Sequence, residues 1–215
     1  MVDLYILGTS GFAKEVAQLA TQINNRNLTW SSINYLSEKR EDIGKVLAYG
    51  KVIATDEILD NLENQIDIAI GVGHPEIRKR LAEKISKNPL INTPNLIYPG
   101  LDIDLNYVQM GKGNFFARGT SITCDVKIGN FNLFNYNCTI GHDVLIGSYN
   151  VICPSSNISG YCTIGSKCLV GTGSQILPGI TIADGLIIGA SSLLTESIPD
   201  ENLTFIGIPA RKLHR

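Results

Sequence analysis

Between Asn137 and Ser148 the chain reads NCTIGHDVLIGS, which sets His142 directly before Asp143 in a run holding no other charged residue. An unperturbed imidazole titrates close to physiological pH, so it can take a proton from a nucleophile and later release it. A neighbouring carboxylate can hold the ring and favour the imidazolium that forms. The chemistry on offer is general base catalysis; the plainer alternative is a surface imidazole at a solvated corner. The other histidines stand in weaker contexts: His74 lies in GVGHPEI ahead of a helix, where it could line a substrate cleft, and His214 is one residue from the end. Cys124, Cys138, Cys153, Cys162 and Cys168 form no CxxC pair and read as reduced, small hydrophobic residues, so no metal site is expected.

The elements that must position His142 repeat every six residues. Stepping by six from Met110 meets Phe116, Ile122, Ile128, Phe134, Ile140, Ile146, Ile152, Ile158, Ile164, Val170, Ile176, Ile182, Ile188 and Leu194, all apolar. The next residue is usually small, as at Gly111, Gly129, Gly141, Gly147, Gly165, Gly171 and Gly189, with Leu177 the exception. Two places before the aliphatic stand small or β-branched side chains, among them Cys138, Val144, Asn150, Ser156, Cys162 and Cys168. This period predicts a parallel β-helix of flat faces, with the aliphatic pointing inward and the small residue after it letting the chain turn. At three hexads per triangular coil, the repeat makes about five coils. The shared slot explains Cys138, Cys162 and Cys168 by packing alone, and the register puts His142 at or near a corner.

The first half has a different rhythm, short apolar runs alternating with helical patterns, as in βα units. Strands are expected at Leu4–Leu7, Ser32–Tyr35, Lys51–Ala54 and Ile66–Ile70, and helices at Phe12–Ile23, Asp56–Leu62 and Pro75–Ile85, giving a small Rossmann-like, mostly parallel sheet. Asn88–Pro99, with three prolines, reads as a linker. The chain therefore divides into a Rossmann-like α/β domain, residues 1–95, and an all-β parallel β-helix domain, residues 96–215. GTSGFA follows the first strand and opens the first helix, so Gly8 and Gly11 suit a tight turn and the helix N-terminus suits phosphate. The spacing is GxxG and Ala13 replaces a third glycine, which argues against a dinucleotide cofactor.

Composition limits the partners. With 44% hydrophobic and 18% charged residues, a net charge of −2 and a pI near 5.9, the 215-residue chain reads as globular, with no broad basic surface for nucleic acid or anionic membrane. The N-terminal MVDLYILGTSGF has no basic n-region and its apolar run stops at Gly8, so neither a signal peptide nor a membrane span is expected, and the chain is assigned to the cytoplasm.

LYILGTSGFAKEVA at the start, YLSEK after the second strand, IAIGVG with EIRKRL, NLIYP at the junction, TIGHD in the coils and FIGIPARKL at the end resemble, in that order, the hexapeptide-repeat acyltransferases, and the resemblance implies that the parallel β-helix is left-handed. Over nearly the whole chain the match is to bacterial nucleotide-sugar N-acetyltransferases of the bacillosamine pathway and the related sialic acid O-acetyltransferases. The resemblance implies a homotrimer that moves acetyl from acetyl-CoA to an amine or hydroxyl of a sugar, with active sites between neighbouring β-helices. It implies that the first domain holds the nucleotide end of a nucleotide-linked amino sugar, here through Ser10, Gly11, Phe12, Ser37, Glu38 and Gly71. It makes His142 the base, with Asp143 its acidic partner, and maps CoA contacts onto Val151, Thr172 and Ala190. Many relatives carry a second histidine at the place of Val151, near the thioester, leaving Asn150 as the polar side chain to replace it. Phe12 stands where many relatives have a small or polar residue. Arg211 and Lys212 either meet CoA phosphates or belong to a solvated tail. The expected reaction is N-acetylation of the 4-amino group of a UDP- or dTDP-linked 4-amino-4,6-dideoxy sugar; O-acetylation of sialic acid or another sugar hydroxyl, and a non-catalytic trimeric scaffold, are the alternatives.

Overall fold

The computed structural model describes residues 1–214, which form two compact units, Met1–Gly73 with Ile77–Pro99, and His74–Glu76 with Gly100 onward.

The first unit is a six-stranded sheet. Strands β1 (Val2–Leu7), β2 (Trp30–Ser37), β3 (Val46–Leu47), β4 (Gly50–Thr55), β5 (Ile66–Ile70) and β6 (Ile91–Asn92) lie in the order β3-β4-β2-β1-β5-β6. All neighbours are parallel except the β3–β4 hairpin. Helix α1 (Gly11–Arg26) packs through Ala13, Val16, Ala17, Leu19 and Ala20, a stripe at helical spacing. Helix α2 (Pro75–Ile85) follows β5. The expected helix at Asp56–Leu62 is instead a 3₁₀ segment, Asp56–Asn61. The expected linker carries structure too: Ile91–Asn92 adds β6 beside β5 and Leu96–Ile97 lies against α1, because its apolar residues gain more from pairing than from water.

The second unit is the expected left-handed parallel β-helix. Strands eighteen residues apart pair in register, Ile122 with Ile140, Ile128 with Ile146 and Phe134 with Ile152, so three hexads make one coil. From Phe116 to Leu194 every aliphatic or aromatic residue of the repeat is buried. Phe116 and Phe134 stack inside with ring centroids 4.8 Å apart.

The turning residue is not the one expected. Gly129, Gly141, Gly147, Gly165 and Gly171 have no left-handed backbone; the positive φ falls two residues later, at Asp125, Phe131, Asn137, Asp143, Tyr149, Ser155, Tyr161 and Lys167. For residues other than glycine this conformation costs roughly 1–2 kcal/mol each. Most of their N–H groups bond to the preceding coil, as Asp143 does to the Cys124 carbonyl (3.2 Å) and Lys167 to the Ser148 carbonyl (2.9 Å). The glycines are needed because coils approach closely: a Cβ on Gly129 would lie 2.6 Å from the Gly147 oxygen, and one on Gly171 2.6 Å from the Ala190 nitrogen.

The small slot is also inward, and its polar members bond fifteen residues ahead. Asn114 Nδ2 donates to the Gly129 carbonyl (3.0 Å), Asn132 Nδ2 to Gly147 (2.9 Å), Asn150 Nδ2 to Gly165 (2.9 Å) and Ser156 Oγ to Gly171 (2.9 Å). Asn150 Oδ1 accepts the Cys168 N–H at 2.7 Å. Cys138, Cys162 and Cys168 fill the same slot, buried and free, whereas Cys124 departs from the packing reading by being exposed.

Two outcomes follow from these burials. Asn150→Ala strands the Gly165 carbonyl and the Cys168 N–H, at about 1–3 kcal/mol for each unsatisfied group, and the urea midpoint should drop accordingly. Burial pushes the Cys138 thiol up to about 12 and the Cys168 thiol up to about 11. Cys124 should therefore react first with a thiol reagent at pH 7, with Cys138 and Cys168 reacting only on unfolding. The stability held by the two buried thiols is fully present below 9.0, the ordinary thiol value, and is lost as pH rises through about 11 to about 12, so the melting temperature should fall over that range.

Candidate active site

His142 occupies the corner between the strands Thr139–Ile140 and Leu145–Ile146. Gly141 brings the chain tightly against the next coil and Asp143 turns it at φ 57°. The His142 side chain is 50% exposed, and its Nδ1 lies 2.9 Å from Asp143 Oδ2. An ionised carboxylate only accepts, so in a neutral ring this contact calls for the proton on Nδ1 and leaves Nε2 its lone pair for a substrate proton. Sequence reasoning named this pair but missed the residues holding the ring. One coil on, Gly160 lies beneath it: a Cβ there would sit 2.7 Å from both Cε1 and Nε2. Tyr161 meets the imidazole edge-on, centroids 4.9 Å apart at 88°. Adding eighteen to 142 and 143 finds both residues. Beside Asp143 a groove of about 380 Å³ is lined by Asn106, Tyr107, Asp125, Lys127 and Leu145 among others.

The four residues expected to touch CoA divide. Asn150 is 0% exposed and its side chain is used inside the coil, and Val151 is 3% exposed, so neither reaches a ligand from this chain; both expectations are corrected by the inward slot and the buried face. Thr172 and Ala190 are exposed, one coil apart on one corner. Five hexads separate Thr172 from His142, which puts them on different corners of the same helix. Arg211 and Lys212 form no loose tail: they pair antiparallel with Ile206 and Phe205, and Arg211 lines a cavity of about 480 Å³ with Thr195, Glu196, Asp200 and Phe205.

In the first unit a cavity of about 490 Å³ opens at the carboxyl ends of β1 and β2. The sheet order reverses about β1, with β2 on one side and β5 on the other, and such switch points are where open α/β sheets bind ligands. Ser10, Ser37 and Glu38 line it; Gly11, Phe12 and Gly71 do not. Gly8 makes the turn after β1 at φ 110°. At Gly71 packing alone accounts for the glycine, since a Cβ would lie 2.7 Å from that of Ala13. Thr9, Lys39, Asp42, Asp56 and Arg80 also line the cavity and were not found from the sequence, because loops, 3₁₀ segments and a face of α2 deliver them with no period to follow. Asp42 accepts from Lys45 Nζ and from Ser37 Oγ (2.6 Å), and these two bonds hold its carboxyl below the usual range. Arg80 lies 3.6 Å from Glu38, an exposed pair that contributes little to stability. Arg78 is buried beneath the loop after β5, donating to the Val72 carbonyl at 2.8 Å and the Ile70 carbonyl at 3.3 Å.

Among the described residues no cluster suits a metal ion, and no helix is long and apolar enough to cross a membrane. Residues 3–85 match the family model of the PglD N-terminal domain. No curated protein matches the sequence in a direct comparison. Solved structures do. The acetyltransferase domain of PglB from Neisseria gonorrhoeae, in complex with acetyl coenzyme A, is 26% identical over 98% of each chain, with a TM-score of 0.89. PerB from Caulobacter crescentus, in complex with CoA and GDP-perosamine, is 22% identical over 100% of this chain and 98% of its own, with a TM-score of 0.87. WeeI from Acinetobacter baumannii is 24% identical over 99% and 100%, with a TM-score of 0.85; these last two share the fold. With a PglD-type domain at residues 3–85 followed by a hexapeptide β-helix, the chain is similar over nearly its whole length to the acetyltransferase domain of PglB.

Proposed function

We propose that this chain is an acetyl-CoA-dependent N-acetyltransferase acting on the 4-amino group of a nucleotide-linked 4-amino-4,6-dideoxy sugar, with His142 as general base. The observation that carries the reading is the Nδ1 bond to Asp143, which leaves Nε2 free to accept a proton at an exposed corner. As the sugar nitrogen attacks the thioester carbonyl, Nε2 takes its proton and Asp143 stabilises the imidazolium. The tetrahedral intermediate then collapses with CoA thiol as the leaving group. The Gly160 N–H donates to no acceptor among the described residues and belongs to the stretch beneath the ring, so we assign it to the oxyanion. In the first unit, Ser10, Ser37 and Glu38 hold the nucleotide end, and the Gly11 and Phe12 amides in the first turn of α1 take its phosphates.

Thr172 and Ala190 cannot join His142 within one coil stack, so the reading calls for a second copy to bring that corner to the base. A homotrimer does this three times over, with CoA along each groove. The cytoplasm supplies acetyl-CoA and keeps the five free cysteines reduced.

A panel of UDP- and dTDP-linked 4-amino sugars with sialic acids, assayed for CoA release, should show turnover on the amino sugars; turnover on sialic acid alone would reverse the acceptor. His142→Ala should keep the wild-type assembly on a sizing column and lose about 10²–10⁴-fold in kcat, and near-wild-type activity would remove it as the base. Asp143→Asn should lose less than His142→Ala. Gly160→Ala has a compatible backbone but drives a methyl into the imidazole; its kcat should drop about tenfold or more with the melting temperature little changed.

A further inference from the structure

The left-handed slot at each corner is hard on bulky side chains, yet in the β-helix it holds three aromatics, Phe131, Tyr149 and Tyr161. Phe131 and Tyr149 sit one coil apart on one corner and stack, centroids 6.1 Å apart at 8°, so each gains a partner for its strain. At the corner of His142 the slots on either side of Tyr161 hold Asp143 and Gly179, and neither offers a ring. Tyr161 is 64% exposed, so burial does not account for it. Among the described residues its one ring contact is the perpendicular one with His142, and its N–H donates to the His142 carbonyl at 2.9 Å.

We infer that Tyr161 is a positioning residue for His142. The ring closes off the side of the imidazole that Gly160 and Asp143 leave open, restricting it to the rotamer in which Nδ1 meets the carboxylate. Asparagine or glycine would suit the backbone better, so the tyrosine gives up local stability for orientation, a trade found where a side chain serves a site. The inference rests on the reading of His142 as the base.

Two variants test it, first by turnover and melting temperature and then by a readout without turnover. Tyr161→Phe keeps the ring and should stay within about twofold of wild type in kcat. Tyr161→Asn relieves the backbone and removes the ring: its melting temperature should equal or exceed that of wild type, while kcat falls about tenfold with the KM for acetyl-CoA little changed. A Tyr161→Asn enzyme with wild-type kcat, a loss confined to KM, or an equal loss in Tyr161→Phe would each overturn the inference. The second readout needs no turnover: the His142 ring-proton resonances, assigned with His142→Gln, should move in Tyr161→Asn and hold in Tyr161→Phe. Unmoved resonances in Tyr161→Asn contradict the inference whatever the acceptor is. A wild-type enzyme inactive on every sugar, with the resonances moved, contradicts the proposed function and leaves the contact standing.

Discussion

The close approach of one coil to the next is the constraint on which the β-helix depends. Glycines after the inward aliphatics lie where any Cβ would meet the neighbouring coil, as the 2.6 Å approaches at Gly129 and Gly171 show. That closeness lets Asn114, Asn132 and Asn150 satisfy buried carbonyls fifteen residues away. It also moves the turn to Asp143, Tyr161 and their equivalents, which carry the positive φ. The candidate base is a by-product of the same geometry: a coil spacing that brings Gly160 beneath the His142 ring also brings the Tyr161 ring to its side.

The two halves of the chain provide for ligands by different means. The amino-terminal sheet opens a cavity where its strand order reverses, lined by mixed charges from loops and a helix face, with Arg78 holding the loop after β5 from below. The β-helix has flat faces and regular corners, and its exposed groups form ladders along the axis. A single triangular stack cannot place His142 and the Thr172–Ala190 ladder on one edge. A site shared by His142 and that ladder, as proposed, calls for a second copy of the chain.

Much of the architecture is legible in the sequence. The period of six implies the coil, the register of Ile140 and Ile146, and the corner position of His142, because an aliphatic at every sixth residue turns inward only in a coil whose flat faces are six residues long. The same period misassigns the glycines: a small residue at a fixed place in a repeat looks the same whether it turns the chain or admits a neighbour. Asn150 reads as a replacement for a missing histidine, since one sequence position says nothing of which way its side chain points. The register also implies Gly160 and Tyr161, eighteen residues on, and that step was open to sequence reasoning. Asp42, Arg80 and Lys39 in the first unit are not legible, because loops and a helix face deliver them with no period to follow.

The role of His142 turns on one distance, between its Nε2 and the acceptor nitrogen in a ternary complex with CoA and a nucleotide-linked 4-amino sugar. A structure of that complex should place the nitrogen within about 2.6–3.2 Å of Nε2, directly or through one water. An acceptor nitrogen resting against another side chain, with Nε2 facing solvent, would contradict His142 as the base.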